Sequence, residues 1–136
     1  MEIRQTTPSD AYETMQSDPT AVYLDVRTPE EFAAGHPAGA VNVPGMYCRG
    51  GCSRPNPDFV AGVQRIIPRA TPVLVGCQAG GRSQRGAELL VGAGYTNISN
   101  VRGGFGGARD ETGRTVIPGW REAGLPVETG AGATKA

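Results

Sequence analysis

Cys77-Gln78-Ala79-Gly80-Gly81-Arg82-Ser83 puts a nucleophile, two glycines and a cation in one short turn. The turn follows the apolar run Pro72-Val73-Leu74-Val75-Gly76 and precedes a segment of helical periodicity, so the thiol is expected where a strand ends and a helix begins. Backbone N–H groups in such a turn can converge on one spot, and the helix N-terminus behind them adds partial positive charge. Cysteines in that setting ionise readily, and a thiolate can attack, accept and hold a sulfur atom. Gln78, Ala79, Gly80 and Gly81 are expected to line the substrate site, while Ser83 can cap the helix or donate its hydroxyl toward the bound sulfur. Arg82 and Arg85 fall near the start of the helix, where a cation opposes the macrodipole and calls for an anion nearby. A guanidinium fork binds a sulfonate or phosphate through two parallel bonds, so Arg82 is expected to orient an oxyanion beside Cys77. A cysteine after a buried strand is, taken alone, most often a small core residue. The functional reading rests on the conjunction of strand end, paired glycines, arginines and thiol.

The elements that must hold this turn follow an α/β pattern, with helix signals alternating with short β-branched runs. Thr7-Pro8-Ser9-Asp10 predicts a capped helix to about residue 16, and Val22-Tyr23-Leu24-Asp25-Val26 a strand. Thr28-Pro29-Glu30-Glu31 repeats the capping pattern for a short helix that Gly35 can stop. Val41-Asn42-Val43 predicts another strand, and Asn56-Pro57 opens a helix to about residue 67. The run before Cys77 is apolar throughout, which suits a central strand buried on both faces. The helix after it spans about 83–93, with Ala87, Leu90 and Val91 on one face; residues 98–101 form the last core strand. Residues 109–115 are polar enough for a surface excursion, and 118–123 can form a final short helix. Residues 1–128 are expected to make a single domain, and 129–136 a disordered tail with nothing to bury.

A chain of 136 residues can bury a core without disulfides or a structural metal. Thirteen Lys and Arg balance thirteen Asp and Glu, so no overall field draws the protein to nucleic acid or to a membrane surface. Its apolar runs are too short to span a bilayer, and its first residues lack an apolar signal core. Three cysteines fit no disulfide framework. The expectation is a cytoplasmic protein, monomeric, with neither cofactor nor metal.

Cys77-x-x-Gly80-x-Arg82-Ser83 after an apolar strand resembles the active-site loop of the rhodanese family. The stretch from Leu24-Asp25-Val26-Arg27 through Glu31-Phe32 and Gly35-His36 to Val43-Pro44 resembles that family's N-terminal signature. Gly103-Gly104-Phe105 with Gly124-Leu125-Pro126-Val127 resembles its C-terminal one. The resemblance implies a three-layer α/β/α fold around a mostly parallel five-stranded sheet. It also implies a sulfurtransferase in which the Cys77 thiolate takes a sulfane sulfur from a donor such as thiosulfate and passes it to cyanide, a small thiol or a thiol protein. A non-catalytic persulfide carrier or partner-binding module is the alternative within the family. Phosphatases and arsenate reductases of this fold have a similar loop with one more residue between cysteine and arginine. Here four residues separate Cys77 from Arg82, a ring sized for one sulfur atom.

The chain departs from the family pattern at 108–119, an insertion-like run, and at 46–56, which holds Cys48 and Cys52. The latter loop leaves the same sheet rim as Cys77, so either cysteine is a candidate to resolve a Cys77 persulfide or to pair with the other. Idle loop thiols are the simpler reading, and His36 alone is too little to complete a zinc site with them. Arg49 and Arg54 are read as solvated charges, Asp25 as a partner for the backbone or Arg27, and Glu31 as a capping acid. For His36 the resemblance implies a structural hydrogen bond.

Overall fold

The computed structural model describes residues 3–49 and 52–130, with 46–55 described through the backbone. In chain order the elements are β1 (Arg4–Thr6), α1 (Pro8–Ser17), β2 (Val22–Asp25), α2 (Pro29–Ala34), β3 (His36–Pro37), β4 (Val41–Asn42), β5 (Met46–Arg49) and β6 (Cys52–Pro55). They continue as α3 (Phe59–Ile66), β7 (Val73–Gly76), α4 (Gly81–Gly92), β8 (Ile98–Val101), β9 (Ala108–Arg109), β10 (Thr115–Ile117) and β11 (Val127–Glu128).

The central sheet has the order β1-β8-β7-β2-β4, and every pairing in it is parallel. β7 lies in the middle and is buried at all four residues, as its unbroken apolar run requires. Alternation along the strands divides the core into two layers. Leu24, Val26, Val73 and Val75 join Phe59 and Val63 of α3 and Ala87 and Leu90 of α4. Tyr23 and Leu74 face the other way, toward Ala11 of α1, Phe32 of α2 and Trp120. The result is the α/β/α sandwich expected, with Cys77 leaving the central strand at its carboxyl end.

Local signals placed several element ends correctly. Thr7 caps α1 by accepting from the Asp10 amide, and Thr28 with Glu31 forms a reciprocal capping box on α2. Two expectations need correction, and one strand was not foreseen. The fifth strand, β1, carries no sequence signal because Arg4-Gln5-Thr6 is a polar edge strand held by β8 alone. Helix α3 starts at Phe59 rather than at Pro57, because the Asn56 side chain accepts from the Asp58 amide and holds 56–58 in a turn. No helix forms over 118–123. That stretch is a series of turns anchored by Trp120, whose amide donates to the Gly104 carbonyl and whose indole donates to the Pro126 carbonyl.

The insertion-like run is an antiparallel ribbon of β9 and β10, closed by Asp110, whose carboxylate accepts from the Thr112 and Arg114 amides. Those bonds, with that from the Thr112 hydroxyl as the largest cause, hold the Asp110 carboxyl below its ordinary range. β11 pairs with β3, and the Gly130 amide donates to the Ala33 carbonyl, so the chain is tied down through that residue. The rest of the expected tail, 131–136, lies outside the described residues.

Burial predicts where truncation hurts. Leu24→Ala, at a fully buried position of β2, is expected to cost roughly 2–5 kcal/mol in urea unfolding. Val116→Ala, at a residue 57% exposed on the β9–β10 ribbon, is expected to change stability by less than about 0.5 kcal/mol.

Candidate active site

β7 ends at Gly76, and Cys77 opens a turn that enters α4 four residues later. The turn is possible because Gly80, the N-cap residue, adopts φ +121, a backbone conformation that side chains disfavour. The Gly80 amide then donates to the Cys77 sulfur at 3.0 Å. Cys77 is 2% exposed and belongs to the same apolar cluster as Val26, Val43 and Phe59, while Gln78, Ala79 and Gly81 of the turn are exposed.

What orients the turn is a second segment, Gly103-Gly104-Phe105-Gly106. The Phe105 amide donates to the Cys77 carbonyl at 2.8 Å, the Gly106 amide to the Gln78 carbonyl at 2.9 Å, and the Gly103 amide to the Ala79 carbonyl at 3.2 Å. The described chain has no cis peptide bond, and in a trans peptide the carbonyl and the following N–H point in opposite directions. Three carbonyls turned outward to this clamp therefore turn the amides of Gln78, Ala79 and Gly80 to the other side. The amides of Gln78, Ala79, Gly81 and Arg82 have no acceptor among the described residues. Gly104 is needed at closest approach: it has φ +49, and a Cβ there would collide with the Cys77 carbonyl oxygen.

Two arginines flank the turn, and both are paired. Arg82 donates through both ends of its fork to Glu31, Nη1 to Oε1 at 2.8 Å and Nη2 to Oε2 at 3.0 Å. Glu31 Oε1 also accepts from the Thr28 amide and hydroxyl, so one carboxylate caps α2 and neutralises Arg82. The Arg82 bond is the main reason that the Glu31 carboxyl is lowered to about 2, and its counterpart raises Arg82. The anion that Arg82 calls for at the start of α4 is thus supplied by the protein.

Arg27 lies against Asp25 in a buried ion pair, with Nη2 to Oδ2 at 2.7 Å. It also donates to the Gly35 carbonyl and to the Gln78 side chain, and stacks over the Phe105 ring at 4.6 Å. Asn42 donates to the carbonyls of Asp25 and Arg27. This network braces the β2 end of the site and joins the turn at Gln78 to the clamp at Phe105. Ser83 is fully buried, and its hydroxyl lies 2.5 Å from Asn100 Oδ1 and 3.1 Å from the Gly80 carbonyl. It ties the start of α4 to β8.

The turn therefore collects Cys77, Gln78, Ala79, Gly80, Gly81 and Arg82 at one rim and directs the Ser83 hydroxyl into the fold, toward Asn100 and the Gly80 carbonyl. Asp25 bonds both the backbone and Arg27. His36 is buried, with Nδ1 2.7 Å from the Phe32 carbonyl. In the β5–β6 ribbon Cys48 pairs with Ser53 and Cys52 with Arg49, so the two cysteines are not cross-strand partners. Their side chains lie outside what is described. Sequence reasoning missed the clamp bonds, the second role of Glu31 and the place of Asn100. The glycine spacing of 103–107 was the available signal for the first. For the other two there was none, since the contacts join residues 51 and 17 positions apart.

A scan against protein-family profiles matches the rhodanese-like domain over residues 7–111. The chain belongs to the rhodanese family. Among curated rhodaneses it is 39% identical over 106 residues to thiosulfate sulfurtransferase 16, chloroplastic, of Arabidopsis thaliana, covering 78% of each chain. It is 30% identical over 129 residues to the thiosulfate sulfurtransferase GlpE of Haemophilus influenzae, covering 95% of this chain and 98% of that one. Among solved structures, that of Rv0390 from M. tuberculosis superposes with a TM-score of 0.81 at 34% identity, covering 96% of this chain and all of the other. The five parallel strands with flanking helices are thus the rhodanese-like fold. No helix among the described residues is long and apolar enough to cross a membrane.

The ion pair across this rhodanese site has a pH signature. A carboxyl lowered from 4.5 to about 2 on folding contributes stability that is complete above 4.5 and fades as pH falls toward 2. Glu31→Gln should therefore be less stable than the parent at pH 7, with the gap closing between pH 4.5 and 2 in denaturant titrations.

Proposed function

We propose that this rhodanese is a sulfurtransferase that carries sulfur as a persulfide on Cys77. The carrying observation is the orientation of the turn: three carbonyls drawn outward by the 103–106 clamp, and the Gly80 amide on the Cys77 sulfur. Inward amides stabilise negative charge on a sulfur atom without a general base, and they do so before reaction, at no reorganisation cost. The names of the relatives, thiosulfate sulfurtransferases from a plant and a bacterium, support the same chemistry.

In the proposed reaction the Cys77 thiolate attacks the outer sulfur of a donor such as thiosulfate. A sulfur–sulfur bond forms to Cys77, the bond to the sulfonate sulfur breaks, and the electron pair leaves with sulfite. Charge balances, since thiolate plus thiosulfate dianion gives persulfide anion plus sulfite dianion. A thiol or cyanide then attacks the outer sulfur of the persulfide and Cys77 departs as thiolate, a good leaving group where amides hold it. The exposed peptides of Gln78, Ala79 and Gly81, with Gly80 behind them, would contact the transferred sulfur. Arg82 would add only a small positive potential at the rim, since Glu31 balances its charge. Ser83 would act by holding the turn in shape through Gly80 and Asn100. Burial of Cys77 would keep water away from the loaded sulfur.

Mass spectrometry after incubation with thiosulfate tests this. The expected result is a gain of one sulfur on Cys77, discharged by cyanide or a small thiol, and loss of both gain and turnover in Cys77→Ser. A stable fold with no sulfur added to Cys77 from any sulfane donor would overturn the proposal.

A further inference from the structure

The end of the Arg82 fork faces a carboxylate of the same chain. Glu31 accepts one N–H from each of the two Nη atoms, and Glu31 is itself held by the Thr28 amide and hydroxyl, so the carboxylate does not swing away without giving up its half of the α2 capping box. The other arginine at the turn, Arg27, is paired with Asp25 through its Nε and Nη2. A donor reaching Cys77 thus meets two guanidinium groups whose charge is already balanced by the carboxylates of Asp25 and Glu31. A dianionic sulfonate head gains little from such a rim and is repelled by the carboxylates. A donor with a smaller head charge loses less.

Resting on the sulfur-transfer reading above, we infer that Glu31 is a specificity-determining residue: by occupying Arg82 it turns the site away from dianionic donors such as thiosulfate and toward sulfane donors of lower charge, such as the persulfides of thiols. Glu31 acts through Arg82 and touches no reacting atom, so it is a positioning residue. Its carboxylate stays ionised down to a pH of about 2, so the restraint holds at every pH at which the enzyme would work.

The test compares two donors that differ in charge and share one chemistry. Thiosulfate is a dianion and releases sulfite; benzenethiosulfonate is a monoanion and releases benzenesulfinate. Both are attacked at the outer sulfur and leave the same persulfide. Glu31→Gln frees Arg82 while the amide oxygen still accepts from Thr28, as glutamine does in capping boxes. Glu30→Gln, at the exposed neighbouring residue, removes the same charge without touching Arg82.

The expected result in Glu31→Gln is a fall in KM for thiosulfate on the order of fivefold to tenfold, the scale of one partly screened ion pair acting on a double charge. The fall for benzenethiosulfonate should be smaller, and Glu30→Gln should leave the ratio of the two KM values where it is in the parent. An unchanged ratio in Glu31→Gln, or an equal change in both variants, would overturn the assignment of Glu31 while leaving the sulfur-transfer reading intact. Failure of both donors to load Cys77 in the parent protein, read by mass, would instead overturn that reading. Circular dichroism and urea unfolding of each variant establish that the proteins compared are folded.

Discussion

Three hydrogen bonds, from the amides of Phe105, Gly106 and Gly103 to the carbonyls of Cys77, Gln78 and Ala79, decide which way each peptide of the Cys77 turn faces. A turn of this length has two ways to point its peptide dipoles, and only one makes a site for negative charge. The planar trans peptide converts the choice at each carbonyl into a choice at the next amide. The clamp therefore builds the site from behind, without contributing a side chain to it. It demands glycine where the two backbones approach most closely, which is why a Cβ at Gly104 would overlap the Cys77 carbonyl.

The surrounding elements serve that arrangement. β7 is central, so both of its faces are covered and the end from which Cys77 emerges is held on all sides. Trp120 locks the clamp in turn by donating its amide to Gly104, and Tyr12 and Tyr23 pack edge-on against its ring. The Asp25–Arg27 pair is buried, and such a pair is costly unless its remaining donors are satisfied. Arg27 meets that condition through Gly35, Gln78 and the Phe105 ring, so it braces the turn and the clamp together.

Charge at the rim follows a single rule. Both arginines beside the turn are matched by a carboxylate of the same molecule, one through a buried bond and the other through a capping residue. The amides of the turn are not so matched. Positive potential at the sulfur thus comes chiefly from backbone, which is fixed, and less from side chains, which are committed elsewhere.

Much of this was legible in the sequence. Thr7 and Thr28 announced their helices because a cap is a contact between residues three apart. The run Val73–Gly76 announced a central strand because burial on both faces leaves no polar position. The turn from Cys77 to Ser83 was readable as a thiol at the start of a helix, and the family resemblance followed from it. What the tertiary structure alone decided are the contacts between distant parts of the chain. The polar strand β1 exists only through its pairing with β8, Trp120 replaces an expected helix with anchored turns, and Glu31 reaches Arg82 across 51 residues. Local rules carry the caps and periodicities, because their energies arise within one turn or one strand. The partner of an arginine or of a carbonyl is set by where the whole sheet places it.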